Sequence, residues 1–329
     1  MASIMTNASA LTALQSLNTT NKALETTQSR ISTGYRVAEA ADNAAYWSIA
    51  TTMRSDFKAL STVQDSLGLG ASKVDTAYTG MNKAIETVND IKVKLVAANG
   101  ATSADKEKYD IEIKALQAQL KSYADSATFS GANWLSTDTT TGHTAAGTFD
   151  DVKIVSSFTR NAAGSVALGT IDVKGQDIKL YDASVATTGL TDGILDASRL
   201  GTSGARIAAA SAAVAGTDAA GDTYTVSTLS VSGFSDAQIT KQLRVVESAL
   251  AEMTTAATNL GAAKQRIDLQ KTFTTSLMDS IERGVGQLVD ADMNKESTRL
   301  QALQVQQQLG VQSLSIANGN SQSILSLFR

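Results

Sequence analysis

The chain has 329 residues and a formal net charge of −4 at pH 7, from 28 Lys and Arg against 32 Asp and Glu. It contains no cysteine, no proline and a single histidine, His143, in a Thr/Gly-rich stretch. Disulfides and thiolate chemistry are excluded, a metal site or triad built on histidine is nearly excluded, no cofactor is indicated, and the charge gives no strong attraction to nucleic acid.

Residues 1–60 predict two helices with an interruption between them. In the first helix, the apolar positions share one face: Leu14, Leu17, Leu24 and Ile31. Polar residues interrupt that face: Asn7, Asn21 and Gln28. Ser32-Thr33-Gly34 predicts the break and Arg36-Val37-Ala38 an irregular segment, after which the helical pattern resumes at Asp42-Asn43.

Residues 63–135 predict an αα-hairpin. The apolar face of its first helix consists of Met81, Ala84, Ile85, Val88, Ile91 and Leu95. Asn99-Gly100 ends that helix, because glycine is favoured just past a helix C-terminus. Ser103 is the expected N-cap of the second helix, with Asp105 and Glu107 in its first turn, where negative charge is favourable.

Residues 136–233 are rich in Thr, Ser, Gly, Ala and Asp. Short alternating runs predict strands at 152–155, 171–173, 178–181 and 224–226. We expect a small, mostly β domain with one short helix near 204–214. Because large apolar residues are few, we expect this domain to pack mostly on itself, so that a short Gly/Ser linker could replace residues 140–232.

Ser235-Asp236 predicts the start of a helix with heptad spacing at Ile239, Leu243, Val246, Leu250, Met253, Ala257, Leu260 and Ile267. Gly284-Val285-Gly286 predicts a break in the helical pattern. The last stretch carries one narrow apolar stripe: Val289, Met293, Leu300, Leu303, Leu314, Ala317, Ile324 and Phe328. That stripe has gaps at Glu296, Gln307, Gly310 and Ser321, and the opposite face is expected to be glutamine, serine and asparagine. Because a helix this polar is marginal alone, the end of the chain is expected to dock.

The predicted fold is mainly α, with long N- and C-terminal helices paired as a coiled-coil rod and a small, mostly β outer domain inserted between them. Residues 1–42 and 285–329 would form an inner coiled-coil domain, 43–137 and 236–284 a helical rod domain, and 138–235 the variable outer domain. No apolar run of about 18 residues predicts a membrane span. The segment MASIMTNASALTAL lacks the features of a signal peptide.

No catalytic motif is present, so we expect no enzyme activity. Asp290 and Asp292 could act as a carboxylate pair for a metal, but neither an acidic run nor a loop glycine completes a calcium site. We interpret them as acids that begin a helix or pair at a hinge.

Several motifs occur in one order along the two ends. The N-terminal motifs are Arg30-Ile31-Ser32-Thr33-Gly34, Arg36-Val37, Ala40-Ala41-Asp42-Asn43-Ala44-Ala45, Val96-Ala97-Ala98-Asn99-Gly100 and Phe129-Ser130-Gly131-Ala132-Asn133-Trp134-Leu135. The C-terminal motifs are Leu260-Gly261-Ala262, Arg266-Ile267, Asp290-Ala291-Asp292-Met293, Leu314, Ala317-Asn318 and Ile324-Leu325-Ser326-Leu327. In these motifs the chain resembles bacterial flagellins, whereas its middle third resembles no family that we can name.

The resemblance implies an extracellular structural subunit that polymerises into the helical flagellar filament used for swimming and is exported without a cleaved signal. The implied partners are copies of the same chain or sister flagellins, the filament cap protein, the hook–filament junction protein, and the flagellar export apparatus with its chaperone. The expected self-assembly residues are Leu14, Leu17, Leu24, Arg30, Ile31, Arg36, Asp42, Asn43, Asp290, Asp292, Met293, Leu300, Leu303, Leu314, Ile324 and Leu327.

Two other functions are compatible with terminal helices of this type. A hook–filament junction protein would cap one end of the filament and would not propagate. A flagellin with a protease insert would need a zinc motif in residues 136–233, and the single histidine there excludes the usual one.

The resemblance also implies degenerate immune epitopes. Plant receptors bind a flagellin peptide that matches residues 28–50. Where that peptide usually has lysine, aspartate and glycine, this chain has Ala41, Asn43 and Tyr46. Animal receptors depend on an arginine in an R-E-L segment that aligns with Ile91, Lys92 and Val93. We expect weak or no activation of either receptor type.

Overall fold

The computed structural model describes residues 7–137, 151–161, 164–182, 193–207 and 212–327, with the backbone alone for 320–327. Its helices are α1 (Ala8–Thr33), α2 (Ala44–Ala98), α3 (Ser103–Ser126), α4 (Gly175–Ile178), α5 (Asp236–Val289) and α6 (Met293–Leu327), with a 3-10 turn at Val226–Thr228. The strands are β1 (Thr128–Phe129), β2 (Ala132–Asn133), β3 (Ser136–Thr137), β4 (Val152–Arg160), β5 (Val166–Val173), β6 (Tyr181–Asp182), β7 (Arg199–Leu200) and β8 (Thr223–Tyr224).

The predicted fold class is confirmed, because long helices occupy both ends and a small strand-containing region lies between them. By their contacts, the described residues form two compact units. One is drawn from 1–59 and 276–329, and the other from 60–275. The division into five segments stays a prediction. Within the described residues, no helix is both long and apolar enough to cross a bilayer.

The helix ends in the first third follow from local side-chain and backbone chemistry. Gly34 closes α1 at φ +76°, which confirms the predicted break, because glycine adopts this left-handed conformation without steric cost. The N-cap of α3 is Thr102, whose hydroxyl accepts a hydrogen bond from the Asp105 amide, so the predicted cap at Ser103 was one residue too late. Of the two predicted acids, only Asp105 lies in the first turn, and Glu107 lies beyond it.

Helix α5 begins at a reciprocal cap and runs without a break. The Ser235 hydroxyl accepts from the Gln238 amide, and the Gln238 side chain accepts from the Ser235 amide. The predicted break at residues 284–286 was wrong, because the helix continues to Val289. Glycine inside a helix costs only about 1 kcal/mol relative to alanine, and the buried Val285 packs there with Val37 and Val289.

Between α3 and α5, the described residues form four separate two-stranded sheets, three of them within the middle region of residues 136–233. β4 and β5 form an antiparallel hairpin with an irregularity between Val155 and Ser157. The pairs β1–β2 and β7–β8 are antiparallel, and β3–β6 is parallel. Residues 178–181, predicted as one strand, instead end α4 and begin β6. Where a helix was predicted near 204–214, the described parts are irregular with isolated bridges, and residues 208–211 lie outside the described residues.

The middle region shares one hydrophobic core with α2, α3 and α5, so the expectation that it packs mostly on itself was wrong. Its fully buried Leu180, Leu195 and Val226 belong to the same cluster as residues of the three helices. Polar contacts join the same elements: the Gln117 side chain donates to the carbonyls of Val226 and Leu229 at 3.0 and 3.1 Å. With few large apolar residues of its own, this region uses the helix faces to complete its core.

Candidate self-assembly surface

Helices α1 and α6 lie antiparallel to each other, so the two ends of the chain form one helical pair. The Asn7 side chain donates to the Ala317 carbonyl at 2.9 Å, and Gln307 donates to Asn21 at 2.9 Å. Further along, Arg30 contacts Glu296 at 3.5 Å. Residue numbers therefore rise along α1 as they fall along α6.

The contact between these helices is narrow and weakly apolar. On α1 the covered positions keep heptad spacing: Ala10, Ala13, Leu17, Thr20, Leu24, Thr27 and Ile31. On α6 they are Glu296, Leu300, Leu303, Gln307, Gly310, Leu314 and Ala317. Three of the four positions interpreted as gaps in the stripe, Glu296, Gln307 and Gly310, are thus part of the contact, and for Ser321 only the backbone is described. Because eight of these fourteen residues are small or polar, the two helices bury little apolar surface against each other.

The structure brings most of the predicted stripe residues into this contact and leaves others outside it. Leu14 and Met293 are 45% and 46% exposed and do not lie in the contact. Leu14 is displaced because the interior heptad of α1 runs through Ala13 and Leu17. Ile324 and Leu327 lie on the last turns of α6, where only the backbone is described, and Phe328 lies outside the described residues.

A second apolar stripe on α6 was missed. Val305, Leu309 and Ile316 are 55%, 58% and 67% exposed, and their spacing places them on the face opposite the α1 contact. The expectation that this face holds only glutamine, serine and asparagine was wrong. The spacing of four and then seven residues is itself a heptad signal that could have revealed the stripe. On α1, Leu11 is also exposed, at 59%.

Backbone hydrogen bonds join the segment after α1 to the segment before α6. The Arg36 and Val37 amides donate to the Val289 carbonyl at 2.6 and 3.2 Å, and the Ala291 amide donates to the Gly34 carbonyl at 2.9 Å. The Arg36 guanidinium donates to the Leu288 carbonyl at 2.9 Å. The irregular stretch predicted around Arg36 is therefore held by specific contacts within the chain.

The polar residues predicted for assembly hold turns and helix ends of their own chain. The Asp42 carboxylate accepts from the Ala38 and Glu39 amides. Asn43 caps α2 by accepting from the Tyr46 amide. Asp292 accepts from the amides of residues 294 and 295, the first turn of α6. This confirms the interpretation of Asp292 as a helix-starting acid, and its role in assembly stays a prediction.

Asp290 lies in the short segment between α5 and α6, where its backbone forms an isolated antiparallel β-bridge with Tyr35. Its carboxylate lies against α5, so that a Cβ on Gly286 would come within 2.7 Å of an Asp290 oxygen. Within the described part of the chain, no group of three or more His, Asp or Glu side chains could hold a metal ion. His143 lies outside the described residues.

The positions of the two immune epitopes differ in exposure. Ala41 and Tyr46 are exposed, and the Arg36 guanidinium lies 5.9 Å from the Tyr46 ring centre. Ile91 is fully buried, Lys92 pairs with Glu247 on α5, and Val93 is exposed. Ile91, which the family resemblance would align with the receptor-binding arginine, is thus a core residue of α2.

Comparison with known proteins agrees with the motifs at both ends. Residues 4–140 match the family model for the bacterial flagellin N-terminal helical region, and residues 243–328 match that for the C-terminal helical region. The chain is 51% identical over 329 residues to a flagellin of Brucella melitensis biotype 1, with 100% of both chains covered. It is 48% identical to flagellin C of Rhizobium meliloti strain 1021 and 42% identical to flagellin A of Rhizobium meliloti, again with 100% of both chains covered.

Proposed function

Because the chain belongs to the bacterial flagellin family and is a subunit of the flagellar filament, we propose that α1 and α6 carry the surface through which it polymerises. The observation that carries this proposal is the uncovered stripe of Val305, Leu309 and Ile316 on α6. Apolar side chains in such a row, on a helix whose other stripe is already covered, are typical of an interaction surface.

The covered stripe stabilises the α1–α6 pair only weakly, and burial of the uncovered stripe in an assembly would add to that stability. Burying each Val, Leu or Ile side chain contributes about 1.5–3 kcal/mol, so the three side chains of the uncovered stripe can stabilise a contact between subunits. A head-to-tail contact that does not close on itself then produces an open helical polymer. The family role is structural, and we infer that the chain has no catalytic activity.

Other steps of filament growth belong to the same proposal. We infer an extracellular subunit that reaches the filament tip through the flagellar export apparatus with its chaperone, adds beneath the cap protein, and contacts the hook–filament junction protein at the base. Support for these partners comes from the family resemblance.

Removing all residues from Gln301 onward tests the proposal. The truncated chain should form no filaments by negative-stain microscopy, while keeping the helical circular dichroism of the unit drawn from residues 60–275. Full-length protein polymerised under the same conditions is the control. Filaments from the truncated chain would refute the role of α6, and loss of all helical signal would refute separate folding.

A further inference from the structure

The contact between α1 and α6 contains one ion pair at covered positions. Arg30 Nη1 lies 3.5 Å from Glu296 Oε1, and the two side chains are 25% and 9% exposed. The neighbouring Thr27 is buried. Within the described residues, Arg30 Nε and Glu296 Oε2 are buried without a hydrogen-bond partner. An ion pair with unsatisfied atoms of this kind adds little net stability, because desolvation offsets the attraction between the charges.

We propose that the Arg30–Glu296 pair sets the register of α1 against α6. This inference concerns how one chain pairs its own two ends and goes beyond the proposed polymerisation surface. Its basis is the contrast between one largely covered, poorly satisfied ion pair and a contact whose other covered positions carry uncharged side chains. Buried polar residues are the best-attested devices for fixing register in paired helices.

The apolar positions alone do not select one register. A slip of one heptad keeps both stripes facing each other, since the spacing repeats along each helix. In one direction, the slip places Arg30 opposite Leu303, and in the other it places Glu296 opposite Ala23. Either slip leaves a covered charge without its partner, which is strongly unfavourable.

A steric contact opposes one of these slips as well. A Cβ on Gly310 would lie 2.9 Å from Leu17 Cδ1, so Leu17 fills the space left by this glycine. If α6 slipped so that Glu296 faced Ala23, then Leu17 would face Leu303 and Gly310 would face Ala10. The ion pair opposes slips in both directions, as do the backbone hydrogen bonds of residues 34–37 with residues 289–291 at the end of the helical pair, whereas the Leu17 contact opposes only one.

Engineered disulfides can measure the register directly, because the full-length chain contains no cysteine of its own. Gln307→Cys is combined in turn with Asn21→Cys, Leu14→Cys or Gln28→Cys, three exposed sites at the same heptad position of α1. The first pair reports the observed register, in which the Gln307 and Asn21 side chains are 2.9 Å apart. A heptad slip moves a residue by about 10 Å, beyond the reach of a disulfide.

The intrachain disulfide, identified as monomer on a non-reducing gel and by peptide mass, should form at least about tenfold faster for the first pair than for either shifted pair. In an Arg30→Leu/Glu296→Leu background, this advantage should fall to about threefold or less. An unchanged advantage in that background overturns the proposal, as does equal reactivity of the three pairs in the unaltered background.

Charge exchange gives a second measurement that does not depend on the apolar variant folding. Arg30→Glu alone should abolish the advantage of the first pair, and Arg30→Glu/Glu296→Arg should restore it. Failure of the exchanged pair to restore the advantage overturns the proposal. Filament formation is scored separately by negative-stain microscopy, so a failed register test with intact filaments leaves the proposed function in place.

Discussion

The backbone of Gly70 in α2 lies directly against the side chain of Ile154 in β4. A Cβ placed on Gly70 would lie 2.5 Å from Ile154 Cγ2 and 3.0 Å from its Cδ1. Ile154 belongs to the core shared by the middle region and the long helices. The glycine therefore allows the β4–β5 hairpin to approach the helix closely, and the middle region cannot be exchanged for a linker without exposing the face it covers.

Two glycines of α2, Gly68 and Gly70, give a matched test of this contact because only Leu69 separates them. Gly68→Ala should stabilise the unit by about 1 kcal/mol, because nothing lies within 4 Å of its Cβ position and alanine favours helix. Gly70→Ala gains the same propensity but must displace Ile154, and overpacking of this kind costs about 1–3 kcal/mol. Urea unfolding followed by the fluorescence of the buried Trp134 should show opposite shifts. Equal stabilisation by both substitutions would contradict the close packing.

The buried guanidinium of Arg199 in β7 is held by Glu252 of α5. Its two terminal nitrogens donate to the two carboxylate oxygens at 2.8 and 2.6 Å, and Arg206 donates to one of these oxygens at 3.0 Å. Glu252→Gln should reduce stability by about 3 kcal/mol, the low end for breaking a buried ion pair. Glu247→Gln is the control, because its surface pair with Lys92 should be worth about 1 kcal/mol or less. Equal losses in chemical denaturation would show that Arg199 does not need its partner.

The same carboxylate makes stability depend on pH. Burial opposes ionisation of Glu252, but hydrogen bonds from Arg199 and Arg206 outweigh it and lower its pKa below the ordinary 4.5. A lowered folded-state pKa contributes stability above the unfolded-state value, and this contribution is lost as pH falls through the folded-state value. The urea midpoint should therefore fall between about pH 5 and pH 3, and fall less in Glu252→Gln. Identical pH profiles for the two proteins would contradict this role.

Immune recognition should be weak at both epitopes. At the plant epitope, Ala41 and Asn43 lack the usual charges, and each charge-assisted contact is worth about 1.5–3 kcal/mol. The loss of two such contacts exceeds a hundredfold in affinity, at roughly 1.4 kcal/mol per tenfold. Peptide 28–50 should be inactive on receptor-expressing cells, and Ala41→Lys/Asn43→Asp/Tyr46→Gly should gain activity.

At the animal epitope, the resemblance places the buried Ile91 where the family has an arginine, and Lys92 cannot reproduce the bidentate contacts of a guanidinium. Monomeric protein should therefore be far less potent than a flagellin with the usual motifs. Equal potency of either the peptide or the protein with its reference would show that these side chains do not decide recognition.

The long helices could be predicted because their apolar residues repeat at helical spacing and their ends carry strong local signals. Gly34, Gly100 and Ser235 marked ends that the structure confirms. The glycines at 284 and 286 did not end a helix, because packing of Val285 outweighs their weak propensity. At these positions, tertiary packing overrides the local conformational preference of glycine.

The middle region and the outer face of α6 could not be predicted as well. The core position of Ile154 depends on a helix more than eighty residues earlier in the chain, and strand spacing alone does not reveal that contact. On α6, glutamines between Val305 and Leu309 concealed a second heptad. The stripe of α6 that contacts α1 could be predicted because leucine recurs along it. Gly310 was interpreted as a gap in that stripe, although the Leu17 side chain packs against it.

The most direct test of polymerisation through α6 is the critical concentration of Leu309→Lys beside that of Gln304→Lys. Both substitutions add the same charge to exposed positions of one helix, but only Leu309 lies on the uncovered apolar stripe. Sedimentation of purified protein should show a critical concentration at least about a hundredfold higher for Leu309→Lys, which corresponds to about 2.7 kcal/mol. Gln304→Lys should assemble within about threefold of the unaltered chain. Equal critical concentrations for the two variants would contradict assembly through this stripe.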